Sequence, residues 1–159
     1  MKAYLKTRVP FVPSNSADIE AVLSIVGSAI AGQSFADLGS GDGRVVLEVA
    51  KKTKVQAVGF ELSRAMCWYS TTNAKISGVA NTEFRRLNFF TVDLSQFNYI
   101  YGYLFPRIML SIEEEVIPKL KPGTKLVFKD FPLPNKVPEK TIAVSKNHTL
   151  YIYTIRNFI

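Results

Sequence analysis

Cysteine, histidine and tryptophan each occur only once among the 159 residues, and the first two scarcities exclude something. A single cysteine, Cys67, rules out an intramolecular disulfide, so the fold must rest on its core and a cytoplasmic setting is expected. Cys67 falls in a predicted helix, where a buried free thiol is expected. No apolar run approaches the ~20 residues needed to span a bilayer. The segment Met1 to Pro13 is basic but has no continuous apolar stretch, so no secretion signal is expected. Lysines and arginines never cluster in runs longer than two, although the net charge is +7. That charge therefore reads as a solvated basic surface ahead of a nucleic-acid or anionic-membrane face. One histidine, His148, leaves little room for imidazole-based metal binding, and no metal is implied.

What is present is an ordinary globular composition, 47% apolar and 21% charged. The length suits one domain, 1–159, with residues 1–31 forming an N-terminal lid and helix and 32–159 a sheet core. Apolar residues at Ile19, Val22, Leu23, Val26 and Ile30 predict a helix over 15–31, capped by Ser14, Asn15 or Ser16, with Asp18 and Glu20 in its first turn. Strands are expected at 35–38, 55–61, 82–87, 98–104 and 125–129. Helices are expected at 43–52, from Ser63 to Gly78, and from Pro106 through Ile108, Met109, Ile112 and Val116. Two closing strands, 140–144 and 149–155, flank Lys146-Asn147-His148. Alternating strands and helices predict an α/β fold, Rossmann-like, with a mostly parallel sheet, an antiparallel C-terminal hairpin and helices on both faces.

The most informative segment is Phe35-Ala-Asp-Leu-Gly-Ser-Gly-Asp-Gly-Arg44, a strand running into a glycine turn and then a helix. Glycines 39, 41 and 43 permit positive φ and close approach to a ligand, and the turn aims a helix N-terminus at whatever sits there. A dinucleotide fingerprint would need its third glycine at position 44, which is Arg44. This turn instead carries Asp37 and Asp42. Two carboxylates repel a pyrophosphate and suit a cationic ligand bearing an amino group, such as S-adenosylmethionine.

In an open α/β sheet, ligands lie beyond the carboxyl ends of the strands. Asp37 and the turn close strand one. Glu61 closes strand two, where a carboxylate can accept hydrogen bonds from both ribose hydroxyls. Asn88 follows strand three with an amide suited to an adenine edge, and Phe89 or Phe90 can cover the ring. The expected cofactor set is Asp37, Gly39, Ser40, Gly41, Asp42, Gly43, Glu61, Leu62, Asn88 and Phe89.

Asp37-Leu-Gly-Ser-Gly-Asp-Gly-Arg44, Gly59-Phe-Glu-Leu62 and Leu120-Lys-Pro-Gly-Thr124 resemble motifs of class I S-adenosylmethionine-dependent methyltransferases. Phe11-Val-Pro-Ser14, Asn88-Phe-Phe-Thr-Val-Asp93, Tyr103-Leu-Phe-Pro106, Phe131-Pro-Leu-Pro134 and Asn147-His-Thr-Leu-Tyr151 are similar to segments of a narrower group. That group is the small protein-lysine methyltransferases, which include an archaeal broad-specificity enzyme and mitochondrial enzymes acting on the c-ring protein of ATP synthase and on the adenine nucleotide translocase. The resemblance covers residues 9–155. It implies a seven-stranded sheet, S-adenosyl-L-methionine as cofactor with contacts at Asp37, Gly39, Gly41, Glu61 and Asn88, and a protein substrate with an accessible lysine. A monomer is expected.

For transfer to lysine the amine must first be neutral, at a cost of about 4 kcal/mol at neutral pH. A nearby sulfonium and partial desolvation lower that cost, so positioning alone can serve and a dedicated base is not obligatory. His148, in the closing hairpin, is expected in a hydrogen-bonded structural role, and Asp93 as the cap of the loop before strand four. Tyr99, Tyr101, Tyr103 and Phe105 recur with period two; the first two are expected in the core, and Tyr103 and Phe105 as walls of the target-amine channel. Met66 and Trp68 are expected in the core. An Asn/Asp-Pro-Pro-Tyr motif is absent, which argues against transfer to adenine or cytosine amino groups. An RNA or small-molecule methyltransferase, and a non-catalytic cofactor-binding partner protein, remain the alternatives.

Overall fold

A computed structural model of the chain describes residues 12–156; Phe11 and the basic stretch before it lie outside the described residues. Seven strands form one sheet in the order β3-β2-β1-β4-β5-β7-β6. Strands β1 (Ser34–Leu38), β2 (Gln56–Phe60), β3 (Thr82–Arg85), β4 (Tyr99–Gly102) and β5 (Lys125–Lys129) run parallel. β7 (Thr149–Thr154) returns antiparallel beside β5, and β6 (Lys140–Ala143) pairs with it as the outer edge. The predicted architecture is borne out.

Side chains alternate across the sheet. One face carries Leu38, Phe60, Ile100, Leu126 and Phe128 against Ile108, Met109, Ile112 and Val116. The last four lie on α4 (Pro106–Ser111) and its continuation. Pro118 has no N–H to give to Glu114, and the helix widens into a π turn over 112–116 before a short 3-10 turn closes it. The other face carries Phe35, Ala57, Tyr99, Tyr101 and Val127. These pack against Val22 and Val26 of α1 (Ser16–Val26) and Val45, Val46 and Val49 of α2 (Arg44–Lys52).

Asn15 and Asp18 start α1 with reciprocal hydrogen bonds of 3.0 and 2.8 Å. The helix ends at Val26, short of the predicted 31, because Gly27 and Ser28 have weak helix preference and no core is left for another turn. Ile30, expected on the buried stripe, is 68% exposed. Strands β3 and β4 are also shorter than predicted. β3 has a single neighbour, β2, whose last residue Phe60 sits opposite Arg85. β4 stops at Gly102, opposite Leu38 and Phe128, where both neighbours are ending.

Helix α3 (Arg64–Ile76), capped by Ser63 as expected, corrects two expectations. Its buried residues are Ser70 and Ala74, small enough to bring the helix close to the sheet. Trp68 lies about 200° around from Ser70 and is 70% exposed, not core. Cys67 is half-buried and not fully enclosed. Among the described residues no helix is long and apolar enough to cross a membrane.

Candidate cofactor cleft

The carboxyl ends of β1, β2 and β4 open into a cleft of about 770 Å³. Asp37, Gly39, Ser40, Gly41, Asp42, Glu61, Leu62, Asn88 and Phe89 all line it. Gly43 does not. It takes φ +78° as the N-cap of α2, and an added Cβ would come within 2.6 Å of the Phe84 ring and 2.8 Å of Ser70 Cβ. Its bareness serves the packing of α2 against β3 and α3, whereas Gly39, at φ +80°, borders the cleft beside Leu104.

The turn's hydrogen bonds determine which charge the cleft accepts. Gly39 and Ser40 both donate their N–H groups to Phe60 O at 2.9 Å, and Gly43 donates to Ser40 O. Gly41 N–H donates to Glu61 Oε2 at 2.9 Å, and Arg44 N–H donates to Asp42 Oδ1 at 3.2 Å. These donors are consumed inside the protein, so little remains for a phosphate. Asp37, Asp42 and Glu61 face the cavity, outnumbering the two guanidinium groups that border it, Arg44 and Arg86. Arg44 compensates Asp42 through a salt bridge of 2.5 Å. Asp37 is nearly sealed, 3% exposed, and among the described residues no cation pairs with it. Burial, then the charges of Glu61 and Asp42, push its carboxyl up to about 8. A cationic group bound beside Asp37 would restore its ionised form, and these acceptors fit an amino-bearing, positively charged ligand. Ser40 Oγ, buried with no hydrogen-bond partner among the described residues, adds one unspent polar atom at the same wall.

Glu61 is doubly committed, since its other oxygen accepts from Ser63 N–H at 2.7 Å. It therefore holds the glycine turn and the start of α3 as well as facing the cavity. Asn88 uses Oδ1 to cap the 3-10 turn 89–91 through Phe90 N–H at 3.1 Å, which leaves its amide NH₂ as the group for a ligand. Phe89 is 3% exposed and tilts against Phe90 with ring centroids 4.6 Å apart, so the pair is a wall already packed. Asp93 caps the next 3-10 turn through Ser95 N–H, as expected.

Several lining residues carry no signal in the sequence. Met66, expected in the core, lines the cleft one turn before Ser70. Tyr101 is buried as expected, yet its hydroxyl shares a 3.0 Å hydrogen bond with Ser14 Oγ and it borders the cavity. Ser14 O also accepts from Arg44 Nη1 at 3.2 Å. Residues 12–14 thus lie over the strand ends, tied to β4 and α2. Only the recurrence of Ser14 in a resembling segment signalled this; the bonds are tertiary.

The expected channel pair separates. Tyr103 lines the cleft and packs with the α1–α2 face, whereas Phe105 packs against the opposite, α4-side core. Phe105 is the extended residue that caps α4, and period two ends with the strand at Gly102.

The family pattern described as ANTKMT methyltransferase domain matches residues 37–140. A human lysine N-methyltransferase named for the c-ring protein of ATP synthase is 33% identical over 138 residues, 86% of this chain and 58% of that protein. The chain thus spans about three fifths of the length of such vertebrate relatives. A protein-lysine N-methyltransferase of Saccharolobus islandicus is 30% identical over 152 residues, 92% of this chain and 94% of that one. Among solved structures, an RNA methyltransferase from Salinibacter ruber in complex with S-adenosyl-L-homocysteine superposes with a TM-score of 0.86 at 30% identity, covering 93% and 96% of the two chains. A pattern that begins at the buried Asp37, and an archaeal relative matched along nearly its whole length, place this chain in the ANTKMT methyltransferase domain family.

Proposed function

We propose that the chain transfers a methyl group from S-adenosyl-L-methionine to the ε-amine of a protein lysine. The observation that carries the cofactor half is the cleft's acceptor set: carboxyl groups at neighbouring strand ends, with the N–H groups of Gly39, Ser40, Gly41 and Gly43 already spent. Asp37 and Glu61 would hold the ligand's amino and ribose groups, with Leu62 and Asn88 at the adenine side. Bound there, the cofactor supplies an electrophilic methyl group. The protein's own task is to orient a neutral amine in line with it and exclude water. Relatives named for lysine methylation, one of them matched nearly end to end, support the acceptor class. The single cysteine supports a cytoplasmic setting.

A transferase acting on RNA is the second reading, favoured by the name of the Salinibacter structure and by the net charge of +7. Incubation with methyl-labelled cofactor and cell lysate separates the two. Label should survive nuclease, disappear with protease, and yield methyl-lysine on acid hydrolysis. Label confined to RNA would replace the first reading with the second.

A further inference from the structure

Beyond the cofactor wall, a second polar cluster sits at the carboxyl edge of the sheet, where β4 and β5 end and β7 begins. Asp130, immediately after β5, is the only non-glycine residue with positive φ among the described residues, at +65°. A strained backbone of this kind persists where surrounding contacts hold it, and such residues gather at functional sites. Both carboxylate oxygens of Asp130 are engaged. Oδ1 accepts from Thr149 N–H at 3.0 Å, and Oδ2 lies 2.9 Å from His148 Nδ1. The neighbours on either side of Asp130 both seat Tyr103, the cleft-lining ring of β4's end. Lys129 Nζ lies 4.2 Å from its centroid, and Phe131 stacks on it at 6.4 Å and 17°. Burial, then a hydrogen bond to Asp130 and the charges of Asp130 and Asp18, push the Tyr103 phenol up to about 12. The His148 side chain is 29% exposed and lies outside the cleft lining, next to it through Asp130 and Tyr103.

We infer that His148 is the general base for the incoming amine and that Asp130 is its positioning residue; this rests on the proposed lysine acceptor. An aspartate at Nδ1 fixes the tautomer that carries Nδ1–H and leaves Nε2 with its lone pair. Nε2 takes a proton from the lysine ammonium: the N–H bond breaks, the Nε2–H bond forms, and the electron pair stays on the amine nitrogen. That pair attacks the methyl carbon, and the carbon–sulfur bonding pair leaves with the sulfur. The imidazolium, stabilised by Asp130, then returns its proton to water. The charges around the imidazole are those of Asp130 after β5, Lys146 in its own turn, and the Lys129–Asp18 pair across Tyr103. Lys129 is neutralised by Asp18 at 2.6 Å, which leaves Asp130 to set the local sign.

Because His148 is the sole histidine, its ring nitrogens give one unambiguous set of NMR signals. The ligand-free protein should show the Nδ1–H tautomer with an unprotonated Nε2; the opposite tautomer overturns the assignment. His148→Gln should slow transfer to a lysine peptide about tenfold or more at pH 7 and recover as the pH nears 10, where the amine needs no base. Asp130→Asn, which tolerates the same backbone conformation, should shift the tautomer and show a similar rescue. Calorimetric affinity for S-adenosyl-L-homocysteine should be unchanged in both. A His148→Gln profile parallel to wild type at every pH would overturn the inference. Failure of wild type to methylate lysine at any pH would remove the underlying function instead.

Discussion

The two halves of the sheet's carboxyl edge are built in different ways. Over β1 and β2, the site is made by the Asp37–Arg44 turn and by Phe60, Glu61 and Leu62, joined by backbone N–H donors that Phe60 O, Ser40 O and Glu61 absorb. Over β4, β5 and β7, Asp18, Tyr103, Lys129, Asp130 and His148 converge from across the chain, and the central ion pair spans 111 residues. Backbone turns leave a local signature because particular φ values demand glycine. Side-chain convergence leaves none, since any strand end can carry any residue. The first half is set by local backbone chemistry, and the second by what tertiary packing brings together.

The largest loss of stability from a single substitution should come from breaking the second half. Lys129 and Asp18 are 1% and 0% exposed, so Lys129→Met strands a buried carboxylate whose Oδ1 already lacks a partner among the described residues. Urea unfolding should show a loss of about 3–5 kcal/mol. Adding Asp18→Leu should recover part of it, because an apolar pair needs no charge compensation, less about 1 kcal/mol for the lost bond from Asn15 N–H at the start of α1. A cost below about 1 kcal/mol for the single change would mean the pair is solvated, far outside the range for a buried one.

In the first half the liability is Asp37. Its folded carboxyl holds its proton up to about 8, well above the ordinary value of 3.8. A raised acid contributes stability that is complete below about pH 4 and lost as the pH climbs to about 8, at up to about 1.4 kcal/mol per pH unit. Wild type should therefore lose melting temperature steadily across that window, while Asp37→Asn, unable to ionise, should stay nearly flat. A cationic ligand that pairs with the carboxylate should flatten the wild-type curve in the same way. Equal slopes in the two proteins would show that Asp37 is not the buried acid.

Glu61→Ala sharpens the comparison from the ligand's side. It removes a charged acceptor and also frees the Gly41 and Ser63 N–H groups. Affinity for S-adenosyl-L-homocysteine should fall by about 1.5–3 kcal/mol in calorimetry. An unaltered affinity would confine Glu61 to bracing the turn.

The same contrast explains what could be read in advance. The glycine turn, Glu61, the Ser63 cap and the mostly parallel sheet with its closing hairpin were legible because each rests on local backbone chemistry or on strand and helix periodicity. Helix α1's end was not, because Ile30 continues the periodicity while the core it would need runs out. Trp68 misled for a related reason: an aromatic in a helix suggests core, but α3 approaches the sheet through Ser70 and Ala74. Asp18 looked like a first-turn acid complementing the helix dipole, and nothing near it in sequence announced Lys129. Tyr103 and Phe105 shared a pattern that ended with the strand, and only the packing shows that they part.

One contact joins the halves directly, and its effect should be the smallest. Ser14 Oγ and Tyr101 OH share a buried hydrogen bond of 3.0 Å, fixing residues 12–14 above the strand ends. Ser14→Ala leaves the phenol buried without a partner, and Tyr101→Phe leaves the serine hydroxyl in the same state, so each should cost about 1–2 kcal/mol. Ser14 O keeps its bond from Arg44 in either variant, so the segment stays seated and ligand affinity should hold. The double variant removes both partners together. It should cost little more than one single change, a coupling of about 1 kcal/mol in a double-mutant cycle by denaturant unfolding. Strict additivity would mean that the two hydroxyls do not meet in solution, and that the sheet alone connects the two halves.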